Sequence, residues 1–169
     1  MSLRKILSKN QITYKLYLLY RVYFKDKNFQ KKNYYGQWKE DLDIVEFFDR
    51  KNIKNGNYLD IGCFDPFKYS NTCLLYQNGW TGINIDLNQT SIDIFNLIRK
   101  KDINICSCIS DKKKKVEIYF DSPFSSINSS NKKFFENFVK NDPFKNAFKN
   151  YTKIYAETKT IDEILEKDK

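Results

Sequence analysis

Two short stretches decide the fold: Tyr58-Leu59-Asp60-Ile61-Gly62-Cys63 and Thr81-Gly82-Ile83-Asn84-Ile85-Asp86. Each is a brief apolar run rich in aromatic or β-branched residues that ends in a polar turn or on a carboxylate, the signature of a buried strand. Asn55-Gly56-Asn57 supplies a turn before the first run. Between the two, Leu74, Leu75 and Tyr76 predict a helix with Ser70 as its cap and Asn78-Gly79 closing it.

Outward from this pair the alternation continues. Upstream, Leu42, Ile44, Val45, Phe47 and Phe48 recur at helical spacing from Glu40 to about Arg50. Downstream, Thr90 to Lys101 reads as a helix with Ile92, Phe95 and Ile98 on one face, followed by strands over Ile103 to Ile109 and Val116 to Phe120. A Phe-rich helical stretch runs from about Lys132 to Tyr151. Lys153 to Thr158 alternates like a strand, and Thr160-Ile161-Asp162-Glu163 has the capping-box form that opens a helix. Strand, helix, strand, helix, strand is the pattern of a mostly parallel sheet with crossover helices: an α/β, Rossmann-like, three-layer αβα fold. A boundary near Lys31-Lys32-Asn33 separates a basic helical extension, residues 1–33, from the domain of residues 34–169.

Composition narrows the chemistry. Across 169 residues there are fourteen Phe and twelve Tyr, enough aromatic mass for a packed core despite 30% charged residues. There is no His, which removes Ser-His-Asp and Cys-His catalysis, imidazole zinc sites and a histidine base. Cys63, Cys73, Cys106 and Cys108 form no C-x-x-C pair and no disulfide framework, so small apolar core filler in a reducing, cytoplasmic setting is expected of all four. Cys106-Ser107-Cys108 reads as alternate positions of one strand. No metal site is expected, and no apolar run reaches the ~20 residues that span a bilayer.

In open parallel sheets ligands sit beyond the carboxyl ends of the strands, where Asp60 and Asp86 both fall. Gly62 allows a tight turn with backbone close to a ligand. Asp60 can accept from a cationic amino group or from ligand-holding amides, and Asp86, 26 residues later, can accept from both ribose hydroxyls. Asp60-Ile61-Gly62 alone is equally an ordinary strand-to-turn sequence; the second acid at this spacing favours a nucleoside cofactor. The turn Gly62-Cys63-Phe64-Asp65-Pro66-Phe67 has no G-x-G-x-x-G nest for a pyrophosphate, and the chain has no P-loop. A phosphate-free nucleoside, S-adenosylmethionine, therefore fits better than NAD or ATP.

Tyr58 to Pro66, Tyr69-Ser70-Asn71-Thr72 and Asn78-Gly79-Trp80-Thr81-Gly82-Ile83-Asn84-Ile85-Asp86 together resemble the FkbM-type methyltransferases, class I enzymes that use S-adenosylmethionine to O-methylate sugars or other hydroxyls. Gly36-Gln37-Trp38-Lys39-Glu40-Asp41-Leu42 resembles that family's Q-x-G-E-D-L motif, with Lys39 where Gly is usual, and the likeness extends through Arg99 to Asn104 and Thr158 to Leu165. It covers roughly residues 34 to 166. The resemblance implies Asp60, Gly62 and Cys63 as the first cofactor loop, Asp86 as the ribose acid and Leu87 beside the adenine. It further implies Ser110 and Asp111 near the adenine amino group and Gln37 and Glu40 closing over the methionine end. Pro66, where many class I enzymes have Gly, marks a subfamily. The family continues after the last helix with a D-F-L-x-I-D-V-E-G strand, so this chain is expected to be the N-terminal part of such a domain. No catalytic base is named by it. The acceptor expected is a small molecule or glycan; the alternative is a non-catalytic remnant of the same fold that serves as a binding or partner module.

The net charge of +9 invites acidic partners. Residues 1–27 carry seven basic residues against the single Asp26. Two readings stay open: a basic helix lying on an anionic membrane surface, peripheral to its inner face, or a helix packed on the domain with its lysines solvated, the second being favoured. Lys112 to Lys115 reads as a solvated turn, and nucleic acid is not an expected partner. The aromatic clusters Phe134, Phe135, Phe138 and Phe144, Phe148, Tyr151 read as core or lid packing.

Overall fold

In the computed structural model the described residues are 10–141 and 151–166. Helix α1 (Gln11–Tyr20) runs into a widened i→i+5 turn (Arg21–Lys25) and a 3-10 turn (Lys27–Phe29). Then follow α2 (Glu40–Arg50), β1 (Asn57–Ile61), α3 (Cys73–Gln77), β2 (Thr81–Asp86), α4 (Gln89–Ile98) and β3 (Ile103–Cys106). The chain continues with β4 (Cys108–Ile109), β5 (Lys115–Phe120), α5 (Lys132–Lys140), β6 (Thr152–Lys159) and α6 (Ile161–Leu165).

The protein is α/β. β1, β2 and β3 form a parallel sheet in that order, and β4 pairs in parallel with β6, which is antiparallel to β5. The expected strand over Ile103 to Ile109 is therefore two. Ser107 breaks it, its amide donating to the Asp86 carbonyl at 2.9 Å, so Cys106 and Cys108 belong to different sheets rather than to one strand.

Register gives the parallel sheet two unlike faces. Leu59, Ile83 and Ile103 lie side by side, as do Ile61, Ile85 and Ile105. The intervening row, Asp60, Asn84 and Asn104, faces the helices: the Asn84 amide donates to Asn104 at 2.8 Å and the Asn104 amide to Asn96 of α4 at 3.0 Å. Leu59, Ile61 and Ile103 stay exposed, so among the described residues the second helical layer of a three-layer sandwich does not cover them.

Several element ends differ from the sequence reading. Thr72, not Ser70, precedes α3, because the Ser70 hydroxyl is taken by Arg99 at 2.7 Å. Helix α4 starts earlier, under an Asn88 cap, and stops at Ile98 rather than Lys101; Arg99 turns inward and is buried. The Phe-rich helix ends at Lys140, and Phe144 and Phe148 lie outside the described residues. Phe135 and Tyr151 do pack together with Tyr119. The capping box at Thr160 forms as its sequence predicts, and Lys112 to Lys114 form an exposed turn between β4 and β5.

Helix α1 sits on the domain through Leu18 and Val22 against Ile94, with Tyr17, Phe67 and Phe124 around them. The Tyr14 hydroxyl donates to Asp93 at 2.9 Å. No helix among the described residues is long and apolar enough to cross a membrane.

Candidate functional site

The turn after β1 is built by its neighbours. The amides of Gly62 and Cys63 both donate to the Ile85 carbonyl, at 2.8 and 3.2 Å. Gly62 and Phe64 take positive φ, 77° and 54°, the latter a conformation that costs a side-chain-bearing residue about 1 kcal/mol or more. The Asp86 carboxylate holds it there, accepting the Phe64 amide at 3.0 Å, while its other oxygen accepts the Asn88 amide at 2.8 Å. Asp65 caps the next turn through the amides of Phe67 and Lys68.

Beneath this loop lies Arg99. Its guanidinium donates to the Pro66 carbonyl, the Ser70 hydroxyl and the Thr72 hydroxyl, each at 2.7 Å, and its charge faces Phe95 and Tyr76. Thr72 in turn donates to Asp60 at 2.7 Å. Tyr58 donates to Asp102, which also accepts the Gly82 amide at 2.9 Å. One buried cation thus ties together the later part of the segment between β1 and α3, from Pro66 to Thr72.

A cavity of about 270 Å³ opens beyond the ends of β1 and β2. Ile61, Gly62, Ile85, Asp86 and Leu87 line it, together with Ser107, Cys108 and Ile109. Phe64 and Asn88 line it too, as does the serine-rich segment from Ser125 to Ser130. Asn88 fastens that segment by donating to the Pro123 carbonyl at 2.6 Å. The Ser107 hydroxyl is buried without a protein partner, and no described lining residue is cationic. A carboxylate, hydroxyls and apolar side chains suit a sugar joined to a flat ring, and no cationic side chain among the described lining residues is there to neutralise a phosphate. The volume is near the lower end of small-molecule sites, ~300–1,000 Å³, and matches a nucleoside better than a larger cofactor. A second cavity of about 350 Å³, containing Ser110, Lys114 and Lys132, shares Cys108, Ile109 and Ser130 with the first.

Burial pushes the carboxyl groups of Asp86, Asp60 and Asp65 above the usual carboxylate range, their hydrogen bonds pulling the other way. The charge of Asp60 raises Asp86 further. The two share a sheet face, two rungs apart.

Of the residues named from sequence, Gly62, Asp86 and Leu87 line the cavity. Asp60 lies behind it, on Thr72. Cys63 is core, packed on Ile92 and Phe95. Ser110 borders the second cavity and donates to Asp111, which pairs with Lys114. Gln37 is exposed, and Glu40 accepts the Trp38 amide at 2.6 Å on its own turn; neither lines the cavity. Gly36 is needed there, since a Cβ would meet the Glu40 and Asp41 carboxylates at 2.7 and 2.9 Å. Of the cysteines, Cys63 and Cys73 are buried as expected of filler, but Cys106 is exposed and Cys108 half-buried. Sequence reading missed Ser107, Asn88 and Asn128; the run Ser125-Ser126-Ile127-Asn128-Ser129-Ser130 was the available signal.

No protein-family model matches the chain, and no curated protein or solved structure matches it either.

Proposed function

We propose that this protein binds S-adenosylmethionine and is a methyltransferase of FkbM type, acting on a hydroxyl of a sugar, glycan or other small acceptor. The observation that carries it is Asp86 at the end of the middle strand, beside an unpartnered Ser107 hydroxyl, in a cavity with no cation among its described lining residues. When bound, S-adenosylmethionine supplies an electrophilic methyl on sulfur. The chain's own part is to take the ribose on Asp86 and Ser107, to set the ring against Leu87 and Ile109, and to keep the turn at Gly62 open for the aminoacyl end. The free thiols support a reducing, cytoplasmic setting.

One observation favours a second reading, a binding or partner module of the same fold. Asp86, the one carboxylate lining the cavity among the described residues, spends both oxygens on amides, so it is committed to structure rather than to taking a proton from an alcohol.

Titration calorimetry tests the binding claim: saturable heat with S-adenosylmethionine, lost in Asp86→Ala and weakened about tenfold in Ser107→Ala. Equal binding by all three proteins contradicts it. Transfer of a labelled methyl to a hydroxyl acceptor separates enzyme from binding module.

A further inference from the structure

The first 39 residues carry ten Lys and Arg against Asp26 alone, while the remaining chain balances at twenty and twenty, so the whole net charge of +9 resides at this end. Even Asp26 is engaged, 3.2 Å from the Arg21 guanidinium. The continuous helical segment of α1 and the i→i+5 turn uses one face to dock on the domain, through Leu18 and Val22. Its other face carries Ile12, Leu16, Tyr20 and Phe24, exposed at 70%, 59%, 57% and 67%. A straight helix would carry an i, i+4 series gradually round its axis. Here the i→i+5 turn, closed by the Asp26 amide on the Arg21 carbonyl at 2.8 Å, keeps Phe24 stacked on Tyr20 with ring centres 5.8 Å apart. Tyr23 is exposed beside them, and Lys15, Lys25 and Lys27 are exposed along the same segment.

An apolar, aromatic stripe among lysines, on a helix whose opposite face is anchored, is the arrangement of an interfacial helix. We propose that residues 10–27 dock this protein on an anionic lipid surface, the stripe from Ile12 to Phe24 entering the headgroup boundary and the lysines meeting acidic headgroups. The two sequence readings of this segment are then compatible, since each uses a different face. The inference is independent of the cofactor reading, because no residue of the stripe lines the cavity at β1 and β2.

Co-sedimentation of the full chain with vesicles tests it, using phosphatidylcholine alone and phosphatidylcholine mixed with phosphatidylglycerol. The wild type is expected to pellet with the mixture and much less with phosphatidylcholine, the difference shrinking as salt rises. Leu16→Ser/Tyr20→Ser/Phe24→Ser is expected to bind about a hundredfold more weakly. Lys15→Glu/Lys25→Glu/Lys27→Glu is expected to lose the preference for phosphatidylglycerol, whereas Phe47→Ser, an exposed aromatic on α2, binds as the wild type does. Should the triple serine variant fail to fold, Tyr20→Trp replaces it, its added emission being quenched by brominated lipid. A wild type that stays in the supernatant overturns the proposal. So does a folded serine variant that pellets like the wild type, or an added indole emission in Tyr20→Trp that brominated lipid leaves untouched.

Discussion

The carboxylate of Asp86 holds the amide of Phe64 at 3.0 Å, tying the end of β2 to a left-handed residue in the turn after β1. The acid that the cofactor reading assigns to a ribose is therefore also the clamp that shapes the loop beside it. Asp86→Ala should cost ~1–3 kcal/mol of stability by orphaning two amides. Asp86→Asn should cost less, since its side-chain carbonyl still accepts one of them. Urea unfolding of the three proteins checks the order.

Arg99 should be the least replaceable side chain of the domain. Removing it leaves the Pro66 carbonyl and the Ser70 and Thr72 hydroxyls without their donor and the helix-facing carboxylate of Asp60 without its nearby cation. Arg99→Met is expected to lose ~3–5 kcal/mol. Arg99→Lys keeps the charge but not the fork, and should also be clearly destabilised. Amide exchange is expected to accelerate over residues 62–72 in either variant, and unchanged exchange there would show that the loop stands without Arg99.

The buried carboxyls set a pH dependence of unusual sign. Asp60, Asp65 and Asp86 have folded-state pKa values above the unfolded range because burial penalises their charge. Such groups bind more protons folded than unfolded, so the stability they contribute is fully present below the ordinary carboxylate range and is lost as pH rises through the raised values. Asp65→Asn keeps a carbonyl acceptor for the Phe67 and Lys68 amides but removes one titration. Its unfolding midpoint should fall less than the wild type's as pH rises from about 4 toward neutrality.

The thiols should sort by burial. Cys63 is pushed up by burial and by Asp86, and Cys73 is pushed up to about 12, burial again being the main cause. Both are enclosed, whereas Cys106 is exposed at the end of β3. Alkylation of the folded protein should mark Cys106 first, with Cys63 and Cys73 reacting only on unfolding. Mass-spectrometric mapping of the labelled peptides reads this directly.

Local patterns made the strands legible. Leu59-Asp60-Ile61, Ile83-Asn84-Ile85 and Ile103-Asn104-Ile105 announce alternation, and α2 and β2 fall where their sequences put them. Less legible was that the Asp, Asn, Asn row would face the helices while the apolar row stayed partly open, because alternation reveals two faces without saying which is covered. Arg99-Lys100-Lys101 looks like a solvated helix end, yet only the two lysines are exposed; the destination of Arg99 depends on acceptors 27 to 33 residues away. The site was half visible. Asp86 and Gly62 are given by strand ends and Leu87 by the family resemblance, whereas Ser107 depends on the break between β3 and β4 and the serine wall on a loop returning from β5. Cys63 follows Gly62 in sequence but points into the core, which neighbour spacing does not encode.

The cofactor account is tested most directly by titrating isotope-labelled protein with S-adenosylhomocysteine and following backbone amide signals. The account predicts saturable shifts concentrated at Gly62, Phe64, Leu87, Asn88 and Ser107, with NAD and ATP producing no such set. No shift at saturating ligand, or shifts gathered away from the ends of β1 and β2, would contradict it.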